Sequence, residues 1–491
     1  MNILVKYHRT ISMCGWLSIQ LTMAIPVTAQ SAKLPAICSS QLPGAINAII
    51  DRPELQRYRW GIVVQSLNGA NRLYNRDGDR LFIPASNMKL ITTAVALHQL
   101  GEKTKLRTSV YQLPSTGKMA NLLVVGRGDP SLTKTGLQSI AQQLKQRGIS
   151  QIGEISFDDG YFRGEQINGD WEWGDLATDY APAINSLMLN QNLLTLNVSP
   201  RVVGIPLRYT WADPALNSWQ IDNQTLTGVA NIASSLNASA TFGKPGLRLT
   251  GKLAKNAPDT SIDIPVVNPA ESFIGGLRQS LIKEQISVGN TRIVLGQSTA
   301  NLPEIAAIDS PSIGDLVKEA NQKSNNIYAE VLLKSIGHTH PQHDLSTEDT
   351  TSLAIEQIAQ RLTELGVTPQ SYQIRDGSGL SRHNLITPTA LIQLLSGMVK
   401  TPESEVFKNS LPVAGVSGTL KNRMKGTSAQ GIVRAKTGSM GGIINLSGYI
   451  DSPQYTPLVF SIMLNQHDTS TSKMSKVIDE IVILLARAKQ C

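Results

Sequence analysis

Ser86-Asn87-Met88-Lys89 sets a hydroxyl and an amine three residues apart, directly after Ile83-Pro84-Ala85 and at the start of an apolar run. On a helix, residues i and i+3 share a face, so the amine can touch the hydroxyl. A neutral lysine can take the proton of such a serine and make it a nucleophile. The first turn of a helix also offers unpaired backbone N–H groups and a partial positive charge, which favour an oxyanion there. The pattern alone is cheap. Ser115 to Lys118, Ser131 to Lys134, Ser280 to Lys283 and Ser470 to Lys473 repeat it in settings that read as solvated polar faces or loops. Ser86 differs by its Pro-Ala lead-in and by the apolar helix that follows.

Two further elements supply the groups such a centre needs. Ser324-Asn325-Asn326 falls between two helical runs, where a short break aims Ser324 and Asn326 into a cleft. Ser324 can relay a proton, and Asn326 can bond both a lysine and a substrate amide. Lys436-Thr437-Gly438-Ser439 lies on a strand, where a cation beside a hydroxyl suits a terminal carboxylate. Gly438 removes a side chain, so an extended peptide can approach the strand edge. The backbone N–H of Ser439, with that of Ser86, could then hold a carbonyl oxygen during attack. Lys134-Thr135-Gly136 repeats the triplet but begins a helical segment. Ser66-Leu67-Asn68 and Ser235-Leu236-Asn237 match the bare Ser-x-Asn.

The elements that must position these groups come from both chain ends. A helix over Gln41 to Asp51 precedes strands at Trp60 to Leu67 and Arg72 to Asp77, joined by an Asn68-Gly69 turn. The far end offers strands at Ile432 to Thr437, Ile443 to Ile450 and Leu458 to Leu464, then an amphipathic helix over Met474 to Ala488. These predict one five-stranded antiparallel sheet flanked by helices, an α/β (α+β) body made of residues 30–100 and 302–491. An inserted domain covers 101–162 and 256–301. A further, mostly β insertion at 163–255 is marked by more Trp, Asn and Gly and fading helical period. Helices are expected over Ser312 to Ile336, Thr351 to Leu365 and Pro388 to Val399.

The first 29 residues read as a secretory signal: Lys6 and Arg9, a mostly apolar stretch, and Val27-Thr28-Ala29 before the cut. Export across the cytoplasmic membrane to the periplasm or cell envelope is therefore expected, with at most peripheral membrane association. Loss of two positive charges takes the formal +8 to +6, which suits anionic wall polymers and lipids. No dense basic run with stacking aromatics suggests a nucleic-acid partner. Cys14 leaves with the signal. Cys38 and Cys491 could pair in an oxidising compartment, as their elements come close. His338-Thr339-His340 with His343 and Asp344 is the one His cluster, and it reads as a solvated loop rather than a zinc site. No metal or cofactor is expected.

Taken in order, Ser-x-x-Lys on a helix, Ser-x-Asn between helices and Lys-Thr-Gly on a strand form a known catalytic set. The sequence resembles the class C, type-4 low-molecular-mass penicillin-binding proteins, which are D-alanyl-D-alanine carboxypeptidases and endopeptidases. The likeness includes Gly126-Arg127-Gly128-Asp129-Pro130, Asp376-Gly377-Ser378-Gly379-Leu380 and Leu411 to Leu420. It implies Ser86 as the acyl-enzyme nucleophile, Lys89 as its base, and Ser324 and Asn326 in the proton network. Lys436 and Thr437 would bind the substrate carboxylate. Arg382 resembles the family arginine near the peptide's side-chain carboxylate, and Asp158 resembles the insert's aspartate that faces its free amine. Asn325 stands where many relatives have Asp, at a position that should point away from the chemistry. Peptidoglycan stem peptides are the implied substrates, and β-lactams the covalent inhibitors. A β-lactamase or D-aminopeptidase on the same body is the nearest rival, and a non-catalytic wall-binding protein the rival from another class.

Overall fold

The computed structural model describes residues 35–67, 71–115, 117–241, 243, 246–341 and 349–491. The expected signal, the Asn68-Gly69 turn, and His343 with Asp344 lie outside these. The catalytic sheet runs in the order Val433–Met440, Ile443–Ile450, Leu458–Asn465, Arg59–Ser66, Arg72–Arg76, every neighbour antiparallel. The two strands from the start and three from the end therefore meet as expected. Ile443–Ile450 and Leu458–Asn465 are buried along their whole length, which is why they read as near-continuous apolar runs. Each Leu or Ile so buried contributes about 2 kcal/mol.

Helices cover both faces. Leu42–Ile50 and Thr471–Leu485 pack on one, through Leu42, Ile46, Ile478 and Ile481 against Ile62, Val64 and Leu446. On the other lie Lys89–Leu100, Ile313–Gln322, Asn326–His338, Thr350–Glu364 and Pro388–Met398. The chain ends are tied: Ile37–Cys38 pairs in parallel with Ala488–Lys489, and Cys38 is joined to Cys491 by a disulfide.

A second, mixed sheet has the order Ser287–Val294, Gln151–Asp158, Ala120–Val125, Lys105–Leu113, Glu304–Ser312, with helices Lys134–Gln146 and Pro269–Lys283 in its core. Two three-stranded sheets follow. One is Thr260–Pro265, Leu193–Ser199, Arg208–Trp211; the other is Ser235–Thr241, Gly246–Ala254, Gln220–Gly228. Two boundaries differ from the sequence reading. Glu304–Ser312 pairs with Lys105–Leu113, and Thr260–Pro265 pairs with Leu193–Ser199. We propose on this pairing that the first insertion runs to Ser312 and the mostly β one to Pro265. Between Arg163 and Asn192 the chain holds only short 3₁₀ turns.

Candidate active site

Ser86 sits in a 3₁₀ turn, Ala85–Met88, that runs straight into the helix Lys89–Leu100. Ala85 adopts φ 45°, a left-handed conformation that costs an L-residue free energy and persists only where its surroundings enforce it. Those surroundings are two buried asparagines. Asn445 Nδ2 donates to the carbonyls of Ile83 (3.0 Å) and Pro84 (2.7 Å), and Asn465 Oδ1 accepts from Ile83 N at 2.8 Å. Both interrupt or end an otherwise apolar strand. A buried amide needs partners, and that was the signal in the sequence that could have found them.

Gly438 plays a different part from the one expected. A Cβ there would lie 2.5 Å from Pro84 O and 3.0 Å from Asn87 N. Its bare backbone lets the strand press against the Ser86 turn rather than clearing room for a substrate. That strand is an edge of the sheet, so its outer side can still take an extended peptide.

Lys89 is fully buried. Its Nζ donates to Ser86 Oγ at 3.0 Å, Asn326 Oδ1 at 2.7 Å and the Ser378 carbonyl at 2.7 Å. An ammonium has three donors, and all three are used. Once one proton is lost, a partner must donate to the lone pair. Neither oxygen of Asn326 or Ser378 can do so, whereas the Ser86 hydroxyl can. The geometry therefore aims the lysine's lone pair at the nucleophile.

Burial lowers Lys89 to about 7, opposed by the negative charges of Asp376 and Glu330. Lys436, also fully buried, lies well below the usual lysine range through burial and then through repulsion from Lys89.

Ser324 follows the helix Ile313–Gln322 with φ 57°, and its Oγ accepts from Lys436 Nζ at 2.8 Å. Asn325 turns away from the chemistry: its side chain caps the next helix, accepting from Ile327 N and Tyr328 N, and donates to Gln191. Asn326 and Glu330 are one turn apart on that helix. Asn326 holds Lys89, while Glu330 accepts from Gly377 N and Ser378 N (3.1 and 2.8 Å) and so fixes the loop whose carbonyl Lys89 uses. Burial and the charge of Asp376 raise Glu330 to about 7. Asp376 accepts from Gly379 N, Ser381 N, Asn384 Nδ2 and Trp171 Nε1, which ties the insertion to the same loop. The Thr437 hydroxyl bonds that of Thr419 at 2.8 Å.

The cleft above Ser86 is lined by Ser324, Asn326 and Ser439 and also by Glu172, Asp175 and Arg382. Arg382 pairs with Glu172 at 2.6 Å and donates to the Gly441 carbonyl. Asp158 is elsewhere. Its carboxylate is consumed by Gly160 N, Gly296 N and Gln297 N (2.8, 2.8 and 2.7 Å) at the end of its strand. The expectation that it faces the substrate is corrected, and the acids on the cleft wall are Glu172 and Asp175. The sequence reading missed both, because they lie in the aperiodic stretch after Arg163. His338 stacks on Tyr161 and His340 faces Glu356 at 3.6 Å.

A buried lysine brought to about 7 and bonded to a serine, under an edge strand carrying Lys-Thr-Gly, defines a penicillin-recognising serine hydrolase. The chain belongs to the D-Ala-D-Ala carboxypeptidase 3 (S13) family, whose pattern matches residues 42–488, and it is a serine-type D-Ala-D-Ala peptidase. It is 32% identical over 451 residues to a D-alanyl-D-alanine carboxypeptidase of an Actinomadura species, covering 87% of this chain and 81% of that one. It is 29% identical over 461 residues to penicillin-sensitive carboxypeptidase A of Dictyostelium discoideum, covering 87% of each. In fold it is similar to penicillin-binding protein 4 of Haemophilus influenzae, with a TM-score of 0.76 at 22% identity, over 90% of this chain and 98% of that one.

Proposed function

We propose that the protein is exported and works in the cell envelope, where it hydrolyses the D-Ala-D-Ala bond of peptidoglycan stem peptides through an acyl-enzyme on Ser86. The observation that carries this reading is the 3.0 Å contact between Ser86 Oγ and a lysine that burial brings to about 7. Neutral Lys89 takes the Ser86 proton as Oγ bonds to the carbonyl carbon of the penultimate D-Ala. The carbonyl oxygen takes the negative charge, facing the N–H groups of Ser86 and Ser439. The tetrahedral centre collapses and the C–N bond breaks. The departing amine takes a proton supplied by Lys89 or through Ser324, and D-Ala leaves. Water, giving its proton back to Lys89, then cleaves the ester and restores Ser86.

The terminal carboxylate of the substrate would sit by Lys436 and Thr437. A carboxylate arriving there favours the charged form of Lys436, and that charge in turn favours neutral Lys89. The cleft lining, with Asp175 and the Glu172–Arg382 pair, suits a stem-peptide side chain that carries both an amine and a carboxylate. β-Lactams enter the same path and stop at the ester.

Purified muropeptides test this reading. Mass spectrometry should show pentapeptide stems losing one D-Ala with the wild type and keeping it with Ser86→Ala. Opening of cross-linked dimers in the same digest would add endopeptidase action. Pentapeptides left whole by a folded wild type would refute the proposal.

A further inference from the structure

The smaller β insertion carries its hydrophobic pattern inside out along one strand. In Gln220–Gly228, Thr225 and Thr227 are buried to within 2% of full burial, while Leu226 between them is exposed. A strand with one buried face normally puts its apolar set inward. The two threonines do structural work that leucine could not. Thr225 Oγ1 accepts from Leu207 N, and Thr227 Oγ1 accepts from Arg201 N. Backbone bonds from Gly204 N to Thr227 O and from Thr227 N to Ile205 O close the same contact. The turn Arg201–Leu207 is thus buttressed, and Gly204, at φ 84°, lets it reverse.

What this rigid turn presents is apolar. Val202 is 69% exposed, Val229 is 58% exposed, and Val203, Ile205 and Leu226 are also exposed. The bonds above make them neighbours. Four cations flank them in sequence or in strand register. Arg201 begins the turn and Lys252 is level with Leu226 on the adjoining strand. Lys255 N donates to the Gly228 carbonyl, and Arg208 follows the turn. All four are exposed. Asp259 lies four residues past Lys255, and from Arg201 to Lys255 the sequence has six Lys or Arg and two acids, Asp213 and Asp222. Both acids are engaged, Asp222 with Arg248 at 2.8 Å and Asp213 with Lys134.

We propose that this face is a docking surface for an anionic lipid bilayer, with the valine turn entering the headgroup boundary and Arg201, Arg208, Lys252 and Lys255 meeting lipid phosphates. Apolar tips ringed by cations match an interface that is apolar inside and negative at its surface. A charged wall polymer would use the cations and leave the aliphatic tips in water. The inference takes only the envelope location from the function proposed above, and vesicle binding is read without any peptidase assay, so either can fail alone.

Flotation of the chain starting at Gln30, the form expected after signal removal, with phosphatidylcholine vesicles and with vesicles containing phosphatidylglycerol, tests it. Binding should favour the anionic vesicles by about tenfold and weaken as salt rises. Val202→Asp with Val229→Asp, and separately Lys252→Glu with Lys255→Glu, should each reduce it by about tenfold while penicillin labelling stays unchanged. A wild type that does not float with anionic vesicles would overturn the proposal. So would variants that float as the wild type does, or binding to isolated cell wall in place of vesicles.

Discussion

Replacing Lys89 by methionine is expected to slow acylation of Ser86 by a β-lactam by about four orders of magnitude while the protein stays folded. The amine is the only basic group bonded to Ser86 Oγ among the described residues, so the variant leaves a serine with no proton acceptor. The fold survives because methionine fills the buried volume without a charge to desolvate. Asn326 Oδ1 and the Ser378 carbonyl each lose a donor, at about 1–3 kcal/mol apiece. Labelling rates with a fluorescent penicillin, beside a thermal melt, measure both effects. The wild-type rate should rise with pH through about 7, because burial brings Lys89 there and only the unprotonated amine can accept the serine proton. A Lys89→Met protein that labels near the wild-type rate would remove the lysine from the mechanism.

Gly379→Ala is expected to lower stability by about 3 kcal/mol and to slow acylation about 100-fold. Gly379 has φ 82°, and an added Cβ would press on the Ala85 carbonyl and come within 2.9 Å of Met88 Cβ. Both neighbours are backbone or near-backbone atoms of the turn that carries Ser86, so they give way only by moving the nucleophile. Gly438 meets the same turn at Pro84 O and Asn87 N, so two bare backbones pack against it. Gly366→Ala separates conformation from contact. Gly366 has φ 79° with no heavy atom within 4 Å of its added Cβ. That variant should lose about 1 kcal/mol and keep the wild-type labelling rate. Equal labelling losses in both variants would point to a general softening rather than to displacement of Ser86.

The legible part of the molecule was the part written in local pattern. Strands such as Ile443–Ile450 are buried on both faces and read as apolar runs. Ser86 and Lys89 are one helical turn apart, and Ser324 lies in a break between helices. Less legible was anything set by pairing between distant segments. Glu304–Ser312 closes the inserted sheet against Lys105–Leu113, and no local feature of its sequence reveals that partner. Asp158 and Asp159 are indistinguishable as neighbours in sequence, yet both turn their carboxylates to backbone N–H groups of the insertion. Glu172 and Asp175 reach the cleft on a stretch held by tertiary bonds such as Trp171 to Asp376, where no periodicity announces a role. The lowering of Lys89 and Lys436 comes first from burial, which a sequence expresses only through its fold.

Acylation of Ser86, activated by Lys89, is the step on which the chemistry depends. Peptide mapping after treatment of the wild type and Ser86→Ala with penicillin tests it most directly. One stable adduct is expected on the peptide carrying Ser86, absent from the variant. An adduct on another residue, or none on a well-folded wild type, would contradict it.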